Sequence, residues 1–276
     1  MSRPLGISSS MLNQELTREH FELAAHHGFE CVELYVPLGG SLFTDDAAVA
    51  DAGRALSDAG LTTWSIHAPY GGEVDLSTPE ELQRRAALTA VTRAAEVGRA
   101  LGAELVVAHA GLTCEHPEEF ELRWRQSLRS VNCLLKRAAQ LGLRLALEYL
   151  AGNRPRICSD SAQILEFFAL CDGEPVVSLD TNHANLGEPL AHAMRTLGGH
   201  VATLHISDND GAQERHVVPG DGVIDWREFV ALLDETGYAG PLMMETSSGG
   251  TVAELVALSA ARAREHLGWE GPDVRA

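Results

Sequence analysis

Carboxylates and imidazoles recur in this chain at one kind of place, the end of a short apolar run. The runs are TTWSIHAP with His67, LVVAHAG with His109, LALEYL with Glu148, VVSLDTNH with Asp180 and His183, VATLHISD with His205, and PLMMETS with Glu245. Glu148, Asp180, His205 and Glu245 end four successive runs. Three carboxylates brought together would repel and raise one another's pKa unless a cation neutralised them. An oxygen-rich set with one nitrogen donor suits Mn²⁺, Mg²⁺, Co²⁺ or Zn²⁺. Each residue alone reads as an ordinary surface or loop residue; four at matching positions read as a metal site.

His67, His109 and His183 extend the set, and the pair Glu214-x-His216 adds two ligand types from a long polar segment. The plain alternative for His67 and His109 is a buried histidine bonded to a carbonyl, and for His216 a solvated loop histidine. Other histidines sit on predicted helix faces or in turns. No G-x-G-x-x-G, P-loop or G-x-S-x-G pattern occurs, so dinucleotide, P-loop and serine-nucleophile chemistry lack support. Ser247-Ser248-Gly249-Gly250 is either a tight turn or a backbone cradle for a phosphate.

The runs that deliver these residues alternate with helical patterns. PLGISS and FECVELYV precede TTWSIHAP, which gives eight strands, each followed by a helix. Capping patterns mark several helix starts: Thr78-Pro79-Glu80-Glu81, Asp160 to Gln163, Asp225-x-x-Glu228 and Thr251-x-x-Glu254. After the sixth strand a helix is expected from about Glu188, which leaves His183 in a turn. Strand–helix alternation argues for parallel pairing, and most runs are apolar on both faces. The expectation is an α/β fold, a single (β/α)₈ TIM barrel over residues 1–276, with the last nine or so residues as a tail. In that fold the C-terminal strand ends meet at one mouth. A doubly wound open sheet is the alternative, and the strand count disfavours it.

The 276 residues, 45% hydrophobic, suffice for a large core. A net charge of −18 and no Lys/Arg run oppose binding to nucleic acid or an anionic membrane. Five cysteines without C-x-x-C spacing cannot all pair, which fits free thiols in a reducing cytoplasm. No leader pattern and no apolar stretch near the ~18 residues of a membrane span is seen. Homo-oligomerisation is compatible with the sequence and not fixed by it.

At HAPYGGEVDLS, GAELVVAHAG, the run ending in Glu148, LDTNHANLGEP, LHISDNDG…ERHVVPGDGVIDW and YAGPLMMET, the chain resembles the xylose isomerase-like TIM-barrel superfamily. That group includes sugar phosphate isomerases and epimerases, inosose-processing enzymes and endonuclease IV. The resemblance implies that Glu148, Asp180, His205 and Glu245 bind one divalent metal, and that Glu148 and Glu245 exchange protons with a substrate carbon. It implies a substrate contact for His183 and places Glu33, Trp64, Tyr70, Asn182 and Arg215 as pocket candidates. The expected function is a metal-dependent isomerase or epimerase of a sugar, sugar phosphate or inosose, with a related lyase using the same parts. In the endonuclease IV branch the pattern extends to three zinc ions. It maps onto His67, His109, Glu148, Asp180, His183, His205, Glu214, His216 and Glu245, so a multi-zinc phosphodiester hydrolase is the alternative. Glu214 stands where aspartate is usual, and its extra methylene counts against a third metal.

Overall fold

The structure, a computed structural model, describes residues 3–12, 16–150, 155–247 and 250–271. Eight strands form one sheet: β1 (Leu5–Ser8), β2 (Cys31–Tyr35), β3 (Thr62–His67), β4 (Leu105–Ala108), β5 (Arg144–Glu148), β6 (Val176–Asp180), β7 (Val201–His205) and β8 (Leu242–Met244). Their order is β7-β6-β5-β4-β3-β2-β1-β8, and the paired strands are parallel. A parallel bridge from Ile206 to Met244 joins the two ends. There Ile206 N–H donates to the Met243 carbonyl at 2.8 Å and Glu245 N–H to the Ile206 carbonyl at 3.0 Å. The result is the expected (β/α)₈ barrel.

The outer layer contains α1 (Arg18–His26), α2 (Ser41–Thr44), α3 (Asp46–Ala59), α4 (Glu81–Leu101), α5 (Phe120–Leu141), α6 (Ser161–Ala169), α7 (Thr181–Gly187), α8 (Leu190–Leu197), α9 (Trp226–Glu235) and α10 (Val252–Leu267). Helix α4 shows how the layers join. Ala87, Ala90, Val91, Ala94, Ala95 and Gly98 are buried at helical spacing. A Cβ on Gly98 would stand 2.9 Å from Ile66 Cγ1, so glycine lets α4 lie close against β3.

Side-chain caps form where Asp160, Asp225 and Thr251 predict them, and Thr251 with Glu254 completes a capping box. Two local expectations fail. Thr78 does not cap α4, which starts at Glu81; its hydroxyl instead accepts from Glu80 N–H at 3.2 Å, a local turn competing with the cap. The segment after β6 is not a turn leading to Glu188 but a separate helix, α7, whose cap is Asp180 itself. In the tail, Trp269 is buried with Arg264 stacked over its ring, and residues 272–276 lie outside the described set. No helix among the described residues is long and apolar enough to cross a membrane.

Inside the barrel, residues two apart on a strand share a face. Pairing skips Trp64 between Thr63 and Ser65, and Ala202 between Val201 and Thr203. Trp64, Leu105, Val107, Ala146, Val176 and Ala202 pack into an apolar cluster near the strand beginnings. The Trp64 indole crosses to donate to Thr203 Oγ1 at 3.1 Å. This cluster forms the floor beneath the titratable strand ends.

Candidate metal centre

Glu148, Asp180 and His205 are the last residues of β5, β6 and β7, and Glu245 follows the last residue of β8. Each offers a ligand atom within 4.8 Å of the others' ligand atoms. Two further groups meet the same distance criterion: His67 with His109 and Glu148, and Asp180 with His183 and His216. Glu148 and Asp180 each belong to two groups, so the three form one continuous array.

Glu148 sits at the centre. Its Oε2 lies 2.9 Å from His67 Nε2 and 2.9 Å from His109 Nε2, while Oε1 lies 3.3 Å from His205 Nδ1. Asp180 divides its oxygens differently. Oδ1 accepts from the backbone N–H groups of Asn182 and His183 at 2.6 and 3.1 Å, which starts α7. Oδ2 is buried with no hydrogen-bond partner. The strand end and the helix start are therefore one residue, and capping with one oxygen leaves the other for a ligand.

The donor set fits divalent cations on several counts. His67 Nδ1–H can donate to the Ala68 carbonyl at 2.9 Å, and that tautomer leaves the Nε2 lone pair toward Glu148. His205 presents Nδ1 to Glu148 and Glu245, with Nε2 only 2.8 Å from Glu33 Oε1. That contact is out of line for a hydrogen bond, so both atoms count as buried and unpartnered, yet the charges adjoin. Ser65 Oγ donates to the other Glu33 oxygen at 2.7 Å. His183 Nδ1 is also buried without a partner. Buried acids and orphaned ligand atoms of this kind are costly unless a cation joins them.

Electrostatics separate the two glutamates. Burial pushes Glu148 upward, but His109 and His205 outweigh it and hold the carboxyl well below its ordinary range. Burial raises Glu245; the attraction of His205 is outweighed once Asp180, Glu148 and Glu33 add their repulsion. Burial depresses His67, and the bond and charge of Glu148 reverse this to about 9. His205 is raised well above its usual value by Glu245, Glu33 and Glu148 against its own burial.

The segment between β7 and α9 is ordered by a buried acid. Asp208 accepts from the backbone N–H groups of Asn209, Gly220 and Ile224 and from Trp226 Nε1, at 2.8 to 3.1 Å. A Cβ on Gly222 would fall 2.2 Å from Asp208 Oδ1, so only glycine passes there. Asp208 pairs with Val217 in an antiparallel bridge, and His216 next to it has φ 48°. The His216 carbonyl accepts from Ser247 N–H, its Nδ1 lies 3.1 Å from Ser207 Oγ, and its Nε2 lies 3.2 Å from Glu214 Oε1. The loop thus carries His216 back to Asp180 and His183.

The model of the xylose isomerase-like TIM barrel family matches residues 21–269. The chain belongs to that family. It is 27% identical over 242 residues to a D-psicose 3-epimerase of Ruminiclostridium cellulolyticum, a match covering 84% of this chain and 80% of the relative. It is 29% identical over 152 residues to an inosose dehydratase of Erwinia tasmaniensis, covering 48% and 50% of the two chains. Among solved structures, a D-tagatose 3-epimerase-like protein superposes with a TM-score of 0.83 at 20% identity, over 97% of this chain and 98% of the other. That last likeness concerns the fold.

Family membership makes the placement of the remaining candidates informative. Tyr70 lies at the mouth, 48% exposed, its ring stacked on His109 at 4.2 Å. Glu33 is fully buried behind His205 and does not face the mouth. Trp64 belongs to the barrel floor, away from the strand ends. Arg215 is exposed and paired with Asp210 at 2.9 Å. Asn182 is fully buried and accepts from the Asn209 side chain at 2.7 Å, a structural role. Glu214 is half exposed, with Oε2 3.9 Å from His183 Nδ1, and is not among the three ligand groups. Ser247 donates from Oγ to the Arg215 carbonyl at 3.3 Å, and Ser248 and Gly249 lie outside the described residues. A cavity of about 680 Å³ between α1, α2 and α3 lies away from the ligand groups, although Tyr35 on its wall also adjoins His67 and Tyr70.

The residues that sequence reasoning passed over are Asp208 and Arg156. The crowded S-D-N-D-G spelling around Asp208 signals a structured loop. Nothing in the local sequence singles out Arg156.

Proposed function

We propose that the chain is a divalent-metal-dependent isomerase or epimerase acting on a sugar or sugar-like polyol. The observation that carries this reading is the convergence of Glu148, Asp180, His205 and Glu245, in which the two glutamates stand at the ends of β5 and β8, the outer two of the four contributing strands, and their proton affinities are shifted in opposite directions. The 3-epimerase and the dehydratase among its relatives support the substrate class. A dehydration would begin with the same proton abstraction.

Glu148, Asp180, His205 and Glu245 would hold the ion, with His205 oriented by Glu33. A bound divalent ion polarises a substrate carbonyl and its neighbouring hydroxyl, which acidifies the C–H between them. Glu148, kept ionised by the surrounding imidazoles, suits proton removal. Glu245, kept closer to neutral and 21% exposed at its side chain, suits proton return from the other face. His183 is positioned to bind a substrate hydroxyl, and Tyr70 walls the mouth. The expected setting is a cytoplasmic enzyme with a small-molecule substrate, free to form homo-oligomers.

A second reading is favoured by one observation: the three ligand groups share Glu148 and Asp180, as bridging carboxylates would. Such an array suits hydrolysis of a small phosphodiester by clustered zinc. Elemental analysis separates the two readings, with one equivalent expected for the epimerase and three for the hydrolase. Solvent deuterium should enter a substrate carbon during turnover. Cleavage of a bis-aryl phosphate, with no exchange across a ketose and inosose panel, would defeat the first reading.

A further inference from the structure

Arg156 stands apart from the other described arginines around the barrel mouth. Arg215 is paired with Asp210 at 2.9 Å, and Arg123 with Asp75 at 2.8 Å. Arg156 makes no ion pair with a described carboxylate, and its Nε is buried without a hydrogen-bond partner. Pro155 and Cys158 are tied to Cys114 and Leu150, which follow β4 and β5, so Arg156 lies among the loops at the barrel mouth, and its charge bears on His109 and Glu214.

The backbone fixes it there. The Pro155 carbonyl accepts from Cys114 N–H at 2.8 Å, and the Cys158 carbonyl accepts from Leu150 N–H at 3.0 Å. Ile157 is buried and faces Gly111, where an added Cβ would meet its Cδ1 at 3.5 Å. Cys158 is fully buried at φ 64°. Cys158 and His216 are the non-glycine residues with positive φ among those described, and His216 belongs to a ligand group. Strained backbone persists where surrounding structure enforces it, commonly at ligand-binding positions.

A buried guanidinium donor with no partner is expensive, and a sugar hydroxyl would satisfy the donor while leaving the charge uncompensated. The nearby acids do not supply that compensation, because Glu148 is engaged by three imidazoles and Glu214 by His216. The complement of a planar fork is a carboxylate or phosphate. A net charge of −18 repels polyanions in general, so a local cation selects a small ligand with a single anionic group. We propose that Arg156 binds an anionic group, a phosphate monoester or a carboxylate, on the sugar-like substrate. This rests on the epimerase reading for the substrate's identity as a polyol.

The test is calorimetric titration of the metal-loaded full chain with glycerol phosphate, glycerate and neutral glycerol, comparing the parent with Arg156→Gln and Arg156→Lys. Metal affinity for each probe is common to the parent and the variants, so the ratio isolates the arginine. Arg156→Gln is expected to weaken one anionic probe by about 10- to 100-fold, with Arg156→Lys intermediate. The probe that suffers the larger loss identifies the group. Equal affinity of parent and variant for both anions, or the same loss for neutral glycerol, overturns the proposal. If thermal melting shows Arg156→Gln unfolded, Arg156→Lys decides: a several-fold loss for one anion supports the fork, and no loss overturns it. Deuterium exchange separates the two ideas. Anion selectivity without exchange leaves Arg156 standing while the epimerase reading fails; exchange on a neutral ketose without anion selectivity defeats only Arg156.

Discussion

The two ends of the barrel interior are made by the same strands and differ in almost every physical respect. At the strand beginnings, Leu105, Val107, Ala146, Val176, Ala202 and Trp64 fill the floor with apolar volume. Two residues further along a shared face, Ala146 gives way to Glu148, Val107 to His109 and Thr203 to His205. The buried carboxylates of Glu148 and Asp180, the partly buried Glu245 and their imidazoles crowd the mouth with orphaned atoms. Burying those acids opposes folding of the metal-free chain, and the floor and outer core must offset it. Stability and chemistry are thus separated along the strand, and substitutions at each end should fail in different ways.

The largest effect is expected at the mouth. Glu148→Gln removes the carboxylate shared by two ligand groups and should lower turnover by roughly 10³-fold or more. Bound metal should fall below one equivalent by elemental analysis, while the thermal midpoint of the metal-free chain stays near the parent's at about pH 9, where the attraction between Glu148 and His67 is fading. A midpoint collapse with turnover per folded molecule retained would reverse the assignment of roles. Leu105→Ala, on the floor, should do the opposite. It is fully buried, and its truncation should cost about 2–5 kcal/mol in denaturant unfolding. Turnover of the folded fraction and metal content should stay within about two-fold of the parent, an order-of-magnitude bound drawn from the additivity of distant sites. Loss of metal from this variant would mean that the two ends are not separable.

How much of this separation is legible in the sequence depends on distance from a strand end. Glu148, Asp180, His205 and Glu245 are readable because parallel strands buried on both faces are nearly continuous apolar runs, so an acid at the end stands out. The barrel follows from counting such runs. What is not readable is direction within the interior. Trp64 and Glu33 both belong to strands next to the mouth, yet the irregular pairing beside each turns one into the floor and tucks the other behind His205. Periodicity cannot locate such a break. Nor could it show that Asp180 would cap its own helix, because a following polar triplet reads as a turn until the cap is seen. Arg156 and Asp208 act through loop closure, which leaves no periodic trace.

Glu33 gives the next, smaller test, because it lies between the two ends. It touches His205 and Ser65 but not the ligand quartet's open side. If it acts by holding the imidazole, Glu33→Gln should weaken metal binding about 10- to 100-fold in a chelator competition. Saturating metal should restore most of the turnover. If activity stays lost at full occupancy, Glu33 belongs to the reacting set and the boundary between support and chemistry lies below His205 in the barrel.

The smallest effect is a pH dependence that should appear in the metal-free chain and be opposed when metal is present. His67 and His216 are each raised to about 9, and burial lowers both before the neighbouring acids reverse it, Glu148 for His67 and Glu214 for His216. The unfolded imidazole titrates near about 6.5. The folded chain therefore holds protons that the unfolded chain has released, and this stabilisation is complete below about 6.5 and lost as pH rises through about 9. His205, raised further, acts in the same direction. His109 is lowered, chiefly by burial, so its contribution changes below the unfolded imidazole value and outside this window. Glu148, held low, affects only the acidic limb. Thermal midpoints in chelator should fall from pH 6.5 to 9. With a divalent ion the same protons are competitors, so the increment due to metal should grow over that interval. A flat metal-free profile would mean that the carboxylates are neutralised by their own protons instead of by the imidazoles. The mouth would then be far less polar than its geometry requires.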